Sequence, residues 1–132
     1  MYLFDASAIV NLVKRGSLKP LSEGASLDLA VYESLNAVWR EHKLHGRLDP
    51  DTARGLVGIL KDVFGVIPLE SIKGFEVEVY ELASREGLTV YDAAYLYLAL
   101  RERLTLVSDD RKLLEKASRY ARTARTADVL KR

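Results

Sequence analysis

The chain has 132 residues, 48% of them apolar and 30% charged, with a net charge of +1 and no cysteine. That size and apolar content suit one globular domain, 1–132, with a real core. The missing cysteines exclude disulfides, thiolate zinc sites and a catalytic thiol; no apolar run approaches the ~18 residues of a membrane span.

"MYLF" (1–4) is a short apolar, aromatic run that fits a buried strand, and Asp5 follows it. "ASAIVNLVKRG" then spaces Ile9, Val10, Leu12 and Val13 as a helix does, up to a stop at Gly16. With Asp5 in the first apolar run and no basic leader, the start does not read as a secretion signal, and a cytoplasmic location is expected. "SLDLAVY" (26–32) reads as a second strand, although Asp28 is an odd charge for a strand interior. From Glu33, the spacing of Leu35, Val38, Trp39 and Leu44 predicts a helix ending at Gly46. His42 and His45 sit three apart on it, a spacing better explained by solvated surface than by a metal pair.

Asp49 followed by Pro50 is a helix opening, and "VIPL" (66–69) fits a third strand. "SIKGFEVEVYELASREG" is ambiguous, because "FEVEVY" alternates like a strand. Its length, a capping Ser71 and a terminating Gly87 favour a helix. "TVYDAAYLYLALRE" is a helix rich in alanine and leucine, "TLVS" (105–108) a strand, and "DRKLLEKASRY" an amphipathic helix. "YARTA" fits a poor edge strand. The alternation of strands and helices predicts an α/β three-layer α/β/α sandwich with a mainly parallel sheet of about five strands.

In an open parallel sheet, functional crevices lie beyond the carboxyl ends of the strands. Asp5 stands at the end of the first strand, Glu33 begins the helix after the second, Asp92 opens the helix leading to the fourth, and Asp109 and Asp110 stand where that strand stops. Any one of these acids is well explained as a helix cap, a placement worth ~0.3–1 kcal/mol. If four of them meet within several ångströms, mutual repulsion outweighs gains of that size unless a cation sits among them. With oxygen ligands alone, Mg²⁺ or Mn²⁺ is favoured over zinc. Such a cluster suits phosphodiester hydrolysis: the ion neutralises the scissile phosphate and lowers the pKa of an attacking water. No P-loop pattern is present.

"YLFDASAIVNLVKRG", "YESLNAVWRE" (32–41), "LTVYDAAYLYLAL" (88–100) and "LTLVSDDRKLLEKA" (104–117), in that order, resemble the PIN-domain ribonucleases, and within them the VapC toxins of toxin–antitoxin pairs. The resemblance covers nearly the whole chain and implies Mg²⁺- or Mn²⁺-dependent endonucleolytic cleavage of RNA, leaving a 3′-hydroxyl and a 5′-phosphate. It matches Asp5, Glu33, Asp92 and Asp110 to the four catalytic acids, with Asp5, Asp92 and Asp110 as metal ligands. It puts Ser108 where a hydroxyl would orient a ligand carboxylate or bound water, and gives Asn36 and Ser7 supporting positions. Asp109 falls at the variable position, facing solvent or reaching the metal through water.

The resemblance also implies a homodimer and a VapB-like antitoxin whose C-terminal segment lies over the acidic groove. The helices spanning 33–45 and 50–63 are candidate apolar surfaces for these contacts, with Trp39 and Phe64 as anchors. Residues 111–132 hold eight basic and two acidic side chains, a local charge of +6, so residues 1–110 carry −5. Those bases, with Lys14, Arg15, Arg40 and Lys43, would meet RNA phosphates without reading bases. Other acid-rich α/β enzymes fit less well. An aspartyl-phosphate phosphatase needs a second aspartate where Ser7 stands, and a phospho-receiver needs an acidic pair after the first strand. A PIN-like scaffold that binds partners without appreciable catalysis remains the alternative.

Overall fold

The computed structural model describes residues 1–131. Strand β1 (Tyr2–Phe4) is buried along its whole length, as a central strand covered on both faces must be. Asp5 follows in extended conformation and caps helix α1 (Ala6–Lys14), accepting from the Ala8 N–H at 2.9 Å. Strand β2 (Gly24–Leu27) lies so close to β1 that a Cβ on Gly24 would run into the Tyr2 carbonyl and the Phe4 ring.

The second strand stops at Leu27 rather than running to Tyr32. Helix α2 (Leu29–Trp39) starts immediately, with the Asp28 carboxylate accepting from the Leu29 N–H at 2.8 Å. The charge that looked misplaced inside a strand is therefore a helix cap, and Glu33 lies just past the first helical turn instead of opening the helix. Past Trp39 the backbone widens into a π turn over Arg40–Leu44. Helix α3 (Pro50–Phe64) opens as expected: Asp49 accepts from both the N–H and the hydroxyl of Thr52.

Strand β3 is short (Leu69–Glu70), overlapping only the last residue of the expected run. The ambiguous segment is helical, but α4 (Glu76–Glu86) begins five residues beyond Ser71, whose hydroxyl instead accepts from the Lys73 N–H in a preceding turn. Gly87 ends α4 in the left-handed conformation. Then follow α5 (Val90–Glu102), capped by Thr89, β4 (Thr105–Val107), α6 (Arg111–Ala117), β5 (Thr123–Ala124) and a short α7 (Thr126–Leu130) that sequence periodicity did not signal.

The strands are ordered β3-β2-β1-β4-β5, and every pairing is parallel. Right-handed crossovers then put α1, α2 and α3 on one face and α4, α5 and α6 on the other, an α/β/α sandwich. The packing agrees: α1, α2 and α3 contact one another, while α5 pairs with α4 and touches β1 and β4. Leu3, Phe4, Ile9, Leu12, Leu96, Leu106 and Leu113 are wholly buried between these layers. Among the described residues no helix is long and apolar enough to cross a membrane.

Candidate active site

The sheet grows outward from β1 in one direction through β2 and β3, and from β4 in the other through β5. Between β1 and β4, therefore, the connections leave in opposite directions and open a crevice at the carboxyl edge. Asp5 and Ser108–Asp110 stand directly at this switch point. The Asp5 N–H donates to the Val107 carbonyl at 3.0 Å, so the β1–β4 ladder runs right up to the acid.

Asp5 is buried and its two oxygens are held separately. The Ser7 hydroxyl donates to Oδ1 at 2.7 Å, and the Ser108 hydroxyl donates to Oδ2 at 2.5 Å. Both serines also accept from backbone: Ser7 Oγ from the Asp109 N–H at 3.1 Å, Ser108 Oγ from the Asp110 N–H at 3.0 Å. One carboxylate thus gathers two loops. Burial pushes the Asp5 carboxyl up to about 6, against the hydrogen bonds from Ser108, Ser7 and Ala8 that favour its ionised form; the charge of Glu33 adds to the rise.

Asp110 is exposed and caps α6, its Oδ1 accepting from the N–H groups of Lys112 (2.9 Å) and Leu113 (3.3 Å). Asp110 is the α6 cap, while the Ser108 hydroxyl is committed to Asp5. Among the described residues Oδ2 of Asp110 makes no hydrogen bond, so capping leaves half of this carboxylate available. Asp109 differs from the expected exposed neighbour. It is partly buried, and its oxygens accept from the Thr126 N–H (2.9 Å), the Thr126 hydroxyl (2.5 Å) and the Asn11 amide (2.6 Å). Burial alone would raise Asp109, but these bonds prevail and hold it below the ordinary carboxylate range. It stays ionised for the fold, beside an Asp5 that resists ionisation.

Glu33 reaches the crevice from α2, where the Tyr95 hydroxyl of α5 donates to its Oε1 at 2.8 Å. Tyr95 is 1% exposed, and burial followed by the charge of Glu33 pushes its phenol far above the ordinary range, so it is a fixed neutral donor. Sequence reasoning missed it; the signal was its place three residues after Asp92, on the same helical face. Asp92 is half-buried near the α5 N-terminus, and among the described residues its carboxylate accepts no hydrogen bond. Burial raises it, and so do the charges of Asp110 and then Glu33; no basic side chain opposes them.

Repulsion therefore links Asp5 to Glu33, Glu33 to Asp92 and Asp92 to Asp110. None of the three ion pairs among the described residues involves these acids. Among the described residues, too, no three acids or histidines lie close enough together to form a ready metal-binding group. Drawing them into one coordination shell requires a positive charge, and among the described residues no base is paired with any of them. The donor set, carboxylate oxygens only, fits a hard divalent cation. Asn36 is exposed one turn beyond Glu33 and joins none of these bonds. The His42 ring is hydrogen-bonded at 2.8 Å to the Leu48 carbonyl, away from the acids. Trp39 is half-exposed on a groove of about 390 Å³ between α2 and α3, whereas Phe64 packs on the core.

No protein-family model matches the chain. It is 38% identical over 120 residues to exonuclease VapC9 of Pyrobaculum aerophilum, covering 87% of this chain and 84% of that one. Ribonuclease VapC3 of the same organism is 35% identical over 120 residues, covering 85% and 91%. The fold superposes on the crystal structure of PAE2754 from P. aerophilum with a TM-score of 0.76 and 31% identity, covering 98% of this chain and 92% of that one.

Proposed function

The chain belongs to the VapC family of PIN-domain toxins, and from that premise we propose that it is a Mg²⁺- or Mn²⁺-dependent endoribonuclease, the toxin of a toxin–antitoxin pair. The observation that carries this reading is the run of mutual repulsion from Asp5 through Glu33 and Asp92 to Asp110, with none of these acids in an ion pair among the described residues. Asp5, Asp92 and Asp110 would hold the cation, with Glu33 beside them. Bound there, the ion would supply the charge that lets a phosphodiester enter an acidic crevice and the polarisation that activates a water.

The protein's own groups have separate tasks. Ser7 and Ser108 hold both oxygens of Asp5, which removes its rotational freedom; Oδ1 also accepts from the Ala8 N–H, while Oδ2 accepts from Ser108 alone and keeps lone-pair capacity for a further partner. Tyr95 fixes Glu33 without neutralising it. Asp92 is half-buried and Asp110 exposed, and among the described residues the Asp92 carboxylate and Oδ2 of Asp110 accept no hydrogen bond, so both would be available to a cation that brings an RNA phosphate. An antitoxin segment carrying basic side chains would compete for the same acids, and a homodimer would use the apolar surface of α2 and α3.

The test is cleavage of a labelled single-stranded RNA with Mn²⁺, with Mg²⁺ and with EDTA, for wild type, Asp5→Asn and Asp92→Asn, all checked for folding. Metal-dependent cleavage that falls at least ~10²-fold in both variants is the expected result. Activity surviving EDTA or both substitutions would point to another site. A circular RNA belongs in the same assay, because one relative is named an exonuclease and the other a ribonuclease; endonucleolytic action linearises it, exonucleolytic action leaves it intact. A partner-binding scaffold without appreciable catalysis is the second reading, favoured by the lack of a ready three-acid group among the described residues. Its signature is no cleavage and no Mn²⁺ binding by the folded protein.

A further inference from the structure

Two aspartates stand side by side after β4, and only the second points towards the other acids. The first has the stronger partners. Asp109 accepts three hydrogen bonds, from α1 through Asn11 and from the start of α7 through both the N–H and the hydroxyl of Thr126. Thr126 is 1% exposed and Val129 is buried beside α1, so α7 is seated on the body of the protein rather than trailing from it. Through its backbone the same residue continues into the acid crevice: the Asp109 N–H bonds Ser7 Oγ, which bonds Asp5, and the next N–H bonds Ser108 Oγ, which bonds the other oxygen of Asp5.

We propose that Asp109 is a positioning residue for the acid cluster: it locks the loop after β4 to α1 and α7, and so fixes Asp5 and Asp110 in the relative geometry that divalent-cation binding requires. The proposal rests on the metal-dependent nuclease reading and adds to it a role for the C-terminal helix. The chemistry is directional. Three donors converge on one carboxylate, so neither a neutral nor a longer side chain satisfies all of them, and the loop that carries Asp110 has no other side-chain tie to α7 among the described residues. Without the lock, Asp110 keeps its cap on α6, and only the N–H bonds of residues 109 and 110 to Ser7 and Ser108 still tie the loop to Asp5, so the relative position of the two acids loosens.

Asp109→Ala and the milder Thr126→Val, which keeps the backbone donor and deletes only the hydroxyl, test this in the full-length chain. Three quantities are read: amide hydrogen exchange without added metal, Mn²⁺ binding by calorimetry, and RNA cleavage across a Mn²⁺ titration. Exchange is expected to quicken at residues 109 and 110 while α1 and α5 stay protected. Mn²⁺ affinity and kcat should fall about 10–100-fold in Asp109→Ala and less in Thr126→Val, with KM for RNA little changed. Mn²⁺ affinity and kcat within about twofold of wild type in a folded Asp109→Ala would overturn the proposal, as would loss of protection throughout the molecule in both variants. A wild-type protein that neither binds Mn²⁺ nor cleaves RNA overturns the nuclease reading itself, and the proposal with it; that result is distinct because it appears before any substitution is made.

Discussion

At the scale of single residues, the acids are tuned against the stability of the fold. Asp5 has its carboxyl pushed from the ordinary 3.8 to about 6, so the folded chain binds its proton more tightly than the unfolded chain does. The stabilising contribution of that proton is complete below 3.8 and is lost as pH rises through about 6; the ionised fold at neutral pH then carries a penalty of roughly 3 kcal/mol. Asp5→Asn should therefore melt several degrees higher than wild type at pH 7.5, without added metal, and show little difference near pH 4. An equal shift at both pH values would refute the assignment. Gaining stability while losing activity is the mark of a side chain kept for function. Tyr95→Phe separates the two effects differently. The ring stays in the core and only the donor to Glu33 is lost, so stability should change by no more than about 1 kcal/mol. RNA cleavage should fall about tenfold, since Glu33 loses the contact that orients it.

At the scale of elements, the sequence was legible where a residue acts on its immediate neighbours. Asp49-Pro50 opened α3 and Gly87 ended α4, because caps and left-handed turns depend on a few adjacent atoms. The boundary between β2 and α2 was misread because an apolar strand running straight into a helix leaves no gap, and only Asp28 marks the change. Helix α7 escaped notice because five residues are too few to show a period and too few to be helical alone; its docking through Thr126 and Val129 is tertiary. For the same reason Asp5 and Asp110 could be named from strand ends, and Asp92 from a helix start, but the bonds of Asp109 could not, since Asn11 and Thr126 are remote from it in sequence. One element carries avoidable strain: α5 ends on Arg103 in the left-handed conformation, φ 56° and ψ 45°. A non-glycine residue there costs about 1–2 kcal/mol, partly offset by the greater unfolded freedom of glycine. Arg103→Gly, at an exposed position, should raise Tm by about 2–5 °C; a lower Tm would mean that the arginine makes a compensating contact.

At the scale of the whole molecule, the proposed function gives the two poles of charge different jobs. The acids lie at the carboxyl edge of the central strands, while residues 111–132 concentrate eight of the twenty basic side chains. Arg111 and Lys112 open α6 immediately after Asp110, and Arg125 precedes Thr126, so exposed bases border the crevice on the side where β4 and β5 end. A polyanion repelled by the acids is attracted by this rim, and attraction of that kind releases counterions. For single-stranded RNA each phosphate contact contributes about −0.7 to the slope of log affinity against log salt. Three or four contacts would give a slope of roughly −2 to −3, so KM should rise about 16- to 60-fold between 50 and 200 mM salt while kcat moves little. Replacing Arg111 and Lys112 together by alanine should flatten that slope by about 1.4 without altering the Mn²⁺ concentration needed for half-maximal rate. A KM indifferent to salt would place the RNA elsewhere and leave the basic end as a solvated surface. A slope that flattens together with a changed Mn²⁺ requirement would show that these bases act on the acids themselves, and that the two poles are not independent.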